Sequence, residues 1–298
     1  AHPVAPLVRV QGGHPDTGPG GVYFVDVIER KASMLESLFP SIRSGATLVP
    51  GNEIVPPGTN EQETQQANLR AMSISKRVAA AVALRRLGYH VMAKPDGVIV
   101  DSLILGTHAI GKLQPADVIV SVDGAATPTI AALRARLAHV HPGELVTLGI
   151  LRGPKHVDVT LKTIADPSDP KRAIVGFAPD QAAKVDLPLN VEIDSGNVVG
   201  PSAGLAFALE IYEKLGHDVD HGLRVAATGQ IELNGDVTAI GGVKQKTIGA
   251  REAKADVFLV PAGDNATEAR RYAHGLRIIA VRSFPQALHA LATLRRKT

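Results

Sequence analysis

The sequence contains no cysteine and no tryptophan. The first absence excludes disulfide scaffolds, thiol catalysis and zinc–thiolate sites. The second leaves six Phe and four Tyr as the aromatic residues, too few for the stacking platforms on which single strands of nucleic acid bind. An excess of one charge is missing as well. Lys and Arg number 32 against 29 Asp and Glu, a formal net charge of +3. The basic residues are scattered rather than gathered in a stripe, which argues against nucleic acid as a partner. No apolar run reaches the roughly 18–20 residues of a membrane-spanning helix. No Gly-x-x-x-x-Gly-Lys-Ser/Thr occurs, so the phosphate-binding loop of an ATPase is absent. Neither a metal nor a cofactor is expected.

The 298 residues, 45% of them apolar, suffice for about two folded domains. The chain opens Ala1-His2-Pro3 in place of Met, so an upstream piece, one able to carry a signal or anchor, is expected to have been removed. After a loop-rich start with a short strand at Leu7–Val10, the β-branched and aromatic run Val22–Ile28 reads as a strand. Residues 49–60, with Pro50, Pro56, Pro57 and Gly58, read as irregular. Glu61–Leu87 has neither Gly nor Pro and carries helical apolar spacing up to a stop at Gly88. From Gly97 to Lys162 a smaller unit follows, with strands at Val98–Leu103, Val118–Val122, Leu145–Leu151 and Val157–Lys162 and one helix at Ile130–Ala138. Ala165–Lys171 reads as its exit linker. The remainder alternates strand and helix and predicts an α/β layered domain. The expected divisions are 1–90, 91–164 and 165–298.

Gly200-Pro201-Ser202-Ala203-Gly204 is the most informative segment. It sets a serine among small residues at the start of an apolar helix, where a substrate backbone can come close. There the unpaired N–H groups and positive end of a helix can hold an oxyanion. The competing reading is a helix N-cap. A serine needs a base, and none of the eleven histidines sits in a comparable setting: His139 and His141 flank a turn, His217 and His221 lie in a loop, and His274 ends a helix. Lys244 and Lys246, in Ile240-Gly241-Gly242-Val243-Lys244-Gln245-Lys246, are the better candidates, since apolar burial lowers a lysine pKa toward the range of a base. The two lie about 200° apart around a helix, so at most one of them faces Ser202. The competing reading for either is a solvated surface lysine.

Taken together, Gly-Pro-Ser-Ala-Gly, then Thr228-Gly229-Gln230-Ile231-Glu232-Leu233-Asn234-Gly235, then Gly241-Gly242-Val243-Lys244-Gln245-Lys246, resemble the proteolytic domain of the Lon-type serine proteases. The resemblance implies Ser202 as nucleophile, Lys246 as base and Thr228 as the residue that orients the lysine, with the Ser202 and Ala203 N–H groups at the oxyanion. Two departures stand out. Asn197-Val198-Val199 occupies the place of an acidic stretch, and Gln230 that of a glutamate.

A second resemblance runs through Gly97-Val98-Ile99-Val100, Gly111 to Asp117, Asp123-Gly124, Pro142-Gly143 and Arg152-Gly153. It looks like a bacterial PDZ domain, which implies that a peptide C-terminus adds a strand beside Gly97, Val98, Ile99 and Val100. Because Glu61–Leu87 fits a helix that precedes the serine in the Lon fold, the PDZ-like unit reads as inserted. The fold class expected is thus an α/β (α+β) Lon-type protease domain with an inserted, mostly-β PDZ-like domain. The similarity as a whole is to PDZ-containing Lon-like proteases. It implies an ATP-independent serine endopeptidase acting on protein or peptide substrates and assembled as a homo-oligomer, of which a hexameric ring is a common form among Lon-like domains. It further implies tethering to the outer side of the cell membrane by an N-terminal anchor absent from this chain. The rival is a non-catalytic PDZ adaptor on an inert scaffold. An ordinary serine esterase is disfavoured by the lack of a Gly-x-Ser-x-Gly elbow.

Overall fold

A computed structural model describes residues 1–15, 18–28, 30–39, 45–55, 60–196 and 198–295. Pro56, Pro57, Gly58 and Asn197, which the sequence reading singles out, lie outside them. The chain opens with β1 (His2–Pro3), β2 (Val8–Val10) and β3 (Gly21–Phe24). The short helices α1 (Met34–Leu38) and α2 (Gly51–Ile54) precede the long α3 (Glu61–Arg86). Next come β4 (Met92–Leu103), β5 (Val118–Val122), β6 (Ala125–Ala126), α4 (Ile130–Leu137), β7 (Leu145–Arg152) and β8 (Lys155–Lys162). They are followed by β9 (Ile164–Asp166), β10 (Asp169–Ile174), β11 (Phe177–Asp186) and β12 (Val191–Ile193). The last part holds α5 (Gly204–Lys214), β13 (Arg224–Ala227), β14 (Gln230–Ile231), β15 (Val237–Thr238), α6 (Val243–Glu252), β16 (Val257–Pro261), α7 (Asp264–Tyr272), β17 (Arg277–Val281) and α8 (Phe284–Ala292). Among the described residues no helix is long and apolar enough to cross a membrane.

Two compact units result. The first comprises Ala1–Leu48, Met72–Val91 and Leu187–Thr298, and the second Val49–Ala71 and Met92–Asp186. The first unit is thus discontinuous in sequence, and the turns of α3 before Met72 belong to the second.

In the first unit the sheet order is β1-β3-β13-β16-β17, parallel throughout except for β1. Period-2 alternation sends Val22, Phe24, Val225, Ala227, Val257 and Leu259 to one face, where α3, α5 and α8 pack. Ala226, Phe258 and Val260 go to the other, against α6 and α7. Helices on both faces are what a buried parallel sheet requires. The strand expected over Val22–Ile28 stops at Phe24, because its partner β13 ends at Ala227, opposite Phe24. Beyond that point Val25 joins the second core and Ile28 is exposed. Helix α3 starts at a reciprocal cap: Asn60 Oδ1 accepts the Glu63 N–H, and Glu63 Oε2 accepts that of Asn60. It ends at Gly88, whose φ of 85° is left-handed.

The second unit is a sheet of order β11-β4-β5-β7-β8, with β6 on β5 and α4 covering it. Its core holds Val98, Val100, Ile119, Leu133, Leu148, Ile150 and Leu161. Here the structure departs from the sequence reading. The stretch expected to be a linker, Ala165–Lys171, instead belongs to the β9–β10 hairpin, and β11 then pairs with β4 over its whole length. That partner is also why β4 begins at Met92 rather than Val98. A two-oxygen pairing braces the unit: Arg152 Nε and Nη2 donate to Asp117 Oδ1 and Oδ2 at 2.8 and 2.6 Å, and the Gln114 N–H donates to Asp117 Oδ2. Asp117 is fully buried. Removing it strands a guanidinium that is largely out of water, so Asp117→Ala should cost roughly 3 kcal/mol. The check is a lower urea midpoint for loss of hydrogen-exchange protection in β5 and β7.

Candidate active site

The turn that carries Ser202 is built by its glycines and proline. Gly200 has φ 88° and ψ 160°, a conformation closed to side chains, and Pro201 then starts a tight turn over Pro201–Ala203. A Cβ on Gly204 would stand 2.8 Å from Ser75 Oγ and 3.0 Å from Ile231 Cγ2, so only glycine lets α5 begin there. Ser202 makes no cap hydrogen bond in this turn. Its hydroxyl points elsewhere, to Lys246 Nζ at 2.8 Å. Ser202 and Ala203 lie in the first turn, where N–H groups precede any intrahelical carbonyl.

Lys246 sits in the first turn of α6, which opens after left-handed Gly242 (φ 69°). It is 5% exposed. Burial disfavours its charged form and lowers its pKa to about 8, while the Asp26 carboxylate pulls the other way. Lys244 takes the other face of the helix, with Nζ near Thr47 Oγ1 at 3.3 Å and over the Tyr272 ring. The choice between the two lysines thus follows from which side of α6 meets the sheet.

Thr228 lies one residue past the end of β13 and is wholly buried. Its hydroxyl donates to the Ser202 carbonyl at 3.1 Å, and the Gly229 N–H donates to the same oxygen at 2.9 Å. With its hydrogen so committed, Thr228 Oγ1 can only accept toward Lys246 Nζ, 3.4 Å away. An N–H of the amine is thereby turned to Thr228, which leaves its lone pair for the serine. Ser202, Thr228 and Lys246 therefore meet at the carboxyl ends of the parallel strands, where open α/β sheets place their ligand sites.

Sequence reasoning missed two contributors. Ser75 of α3 donates its hydroxyl to Pro201 O at 3.1 Å and so pins the serine turn. Asp26, just past β3, supplies a negative charge to the lysine and accepts from His2 Nε2 at 3.0 Å. No local pattern marks Ser75, because its partner is over a hundred residues away. For Asp26 the only signal is an acid closing a β-branched run. Gln230, in the place of a glutamate, donates to Glu232 Oε1 at 3.2 Å. Gly97, Val98, Ile99 and Val100 form no open edge. Val98 and Ile99 face β5 on one side, and Gly97 to Val100 face β11 on the other, so the expected strand addition finds its place taken. Among the described residues no group of three His, Asp or Glu could hold a metal.

Fold and site together define an α/β domain that carries a serine–lysine dyad at a helix start. Residues 172–291 match the Lon protease (S16) C-terminal proteolytic domain, and residues 85–163 match the PDZ domain. The chain carries a Lon-type proteolytic domain and a PDZ domain. Lon protease 2 of Bacillus subtilis is 35% identical over 115 residues, which is 38% of this chain and 20% of that protein. Lon protease of Malacoplasma penetrans is 38% identical over 96 residues, 32% of this chain and 12% of that protein. The chain thus spans a fifth or less of these relatives' length. Among solved structures, the PDZ domain of an SdrC-like protein from Listeria monocytogenes is 24% identical, with 28% of this chain and 87% of that one covered and a TM-score of 0.27.

Proposed function

We propose that this chain is a serine endopeptidase that cleaves protein or peptide substrates without ATP, through Ser202 and Lys246. The observation that carries the reading is the 2.8 Å separation of Lys246 Nζ and Ser202 Oγ, with the lysine buried and its pKa lowered to about 8. Neutral Nζ takes the hydroxyl proton as Oγ forms its bond to the substrate carbonyl carbon, and the carbonyl electron pair moves to oxygen. The N–H groups of Ser202 and Ala203 face that developing oxyanion. As the C–N bond breaks, the Nζ proton passes to the leaving amine. Lys246, neutral again, then deprotonates the water that frees the acyl group. Thr228 acts as a positioning residue, since it turns the amine lone pair toward the serine.

The resemblance to PDZ-containing Lon-like proteases supports two further features, assembly as a homo-oligomer and a workplace on the outer side of the cell membrane. A non-catalytic adaptor is the weaker reading, because a scaffold has no use for a buried lysine 2.8 Å from a serine hydroxyl.

The test is cleavage of fluorescein-labelled casein without nucleotide, followed from pH 6 to 10. With a base of pKa about 8, the neutral fraction rises about tenfold between pH 7 and 9 and then levels off, and kcat/KM should follow it. A profile that stays flat or falls over that span would remove Lys246 from the mechanism.

A further inference from the structure

We propose that Ser75, on helix α3, is a positioning residue for the oxyanion: its hydroxyl holds the Pro201–Ser202 peptide by the oxygen and so aims the Ser202 N–H at the substrate. The proposal rests on the endopeptidase reading and assigns a part of that site which neither the serine nor the lysine supplies.

Ser75 is out of place as a core residue. Residues 72, 75, 79 and 82 fall on one face of α3. On that face Met72, Ala79 and Val82 are buried in the core of the first unit, and Ser75 among them is 4% exposed. An apolar side chain would suit the position better, since a buried hydroxyl must recover its lost water contact through a hydrogen bond. A serine inside a helix commonly makes that bond to a carbonyl of its own preceding turn. Ser75 instead donates across to Pro201 O at 3.1 Å. The way to that oxygen is open because position 204 has no side chain: a Cβ there would stand 2.8 Å from Ser75 Oγ.

The bond matters because of what lies at the other end of the same peptide. In a planar trans peptide the C=O and N–H point in opposite directions, so whatever fixes Pro201 O fixes the direction of the Ser202 N–H. Proline locks its own φ, which leaves this plane free to swing about Pro201 ψ and Ser202 φ alone. The Gly204 N–H also donates to Pro201 O, but that bond belongs to the turn and moves with it. Ser75 ties the plane to a helix of 26 residues. The next peptide is held in the same manner. Thr228 Oγ1 and the Gly229 N–H donate to Ser202 O at 3.1 and 2.9 Å, which sets the direction of the Ala203 N–H. Each oxyanion donor is thus aimed by an anchor on the carbonyl behind it, one from α3 and one from the segment just past β13. Ser75 acts on the reaction only through this peptide.

The experiment compares wild type, Ser202→Ala and Ser75→Ala on fluorescein-labelled casein without nucleotide, with kcat and KM measured across pH at a temperature where circular dichroism shows every chain folded. Outright loss of one oxyanion donor costs about 10²–10³ in kcat, so a donor that is present but unaimed should cost about tenfold or more. Ser75→Ala should show that loss in kcat with KM kept within about twofold. The rise of its activity should stay centred near pH 8, where Lys246 titrates. Wild-type kcat in Ser75→Ala overturns the proposal. So does a loss that comes with a moved pH midpoint or a raised KM, since Ser75 then acts on the lysine or on substrate binding. Should Ser75→Ala fail to fold, Ser75→Cys decides: a thiol is close in size but a weak donor. The same loss of about tenfold or more then supports the proposal, and full turnover overturns it. No cleavage by wild type would bring down the endopeptidase reading and this inference with it. Full turnover by Ser75→Ala beside a dead Ser202→Ala brings down this inference alone.

Discussion

Ser202→Ala should abolish cleavage of unfolded protein, with turnover lowered by about 10⁴-fold or more. The substitution removes the one atom that forms the acyl bond, and what remains is binding and oxyanion contact, which act on water only feebly. The same variant separates two readings of the serine. As a helix cap, Ser202 would cost about 1 kcal/mol of stability when replaced and leave turnover alone. Its hydroxyl caps nothing in the turn and lies 2.8 Å from Lys246 Nζ, so the thermal midpoint is expected to stay put while activity disappears. Fragments appearing at equal rates from wild type and variant would sink the assignment.

The second large effect is at Lys246, where charge and basicity can be pulled apart. Lys246→Arg keeps a cation on a long stem but never presents a free lone pair near neutral pH, since the guanidinium pKa exceeds about 12. Loss of about 10³-fold or more in kcat is expected, and the same for Lys246→Met. Their stabilities should diverge. Folding lowers the lysine pKa from 10.5 to about 8, so across that window the unfolded chain binds more protons and stability climbs with pH. At pH 7 the buried ammonium is at nearly its full cost, roughly 3 kcal/mol for a pKa lowered from 10.5 to about 8. Lys246→Met sheds that cost, and the variant should be dead yet harder to unfold at pH 7, with the gain shrinking as pH rises toward 10. Paired activity assays and urea melts at pH 7 and 10 would show it. A Lys246→Arg chain with a tenth of wild-type turnover would instead free the lysine from its role as base.

Local chemistry is what the sequence makes legible. Gly-Pro-Ser-Ala-Gly announces its own geometry because Gly200 answers a backbone constraint two residues before Ser202. The Asn60 cap and the Gly88 stop of α3 are equally local. The parallel strands at Val257–Pro261 and Arg277–Val281 stand out as apolar runs because both faces are covered. What escaped depends on distance along the chain. Asp26 and Ser75 reach the dyad from segments that share no motif with it. Most of all, β11 escaped. Phe177–Asp186, with its Pro179 and two Asp, has weak strand propensity. It becomes a strand because an edge awaits it on β4, a tertiary fact without a local mark.

The discontinuity of the proteolytic unit sets an order on the ribosome. Strands β1 and β3 are made first, yet β3 has no parallel neighbour until β13 emerges some two hundred residues later. The second unit is complete at Asp186 and can fold while the first waits. At about 5–20 residues per second, the stretch from Leu187 to Thr298 takes about 6–20 s to appear. Only near the end of that interval do the serine and its lysine exist on the same molecule with a sheet to hold them. A nascent chain of this design is therefore born without cutting power, and any copy that terminates early, lacking α6, is a harmless one.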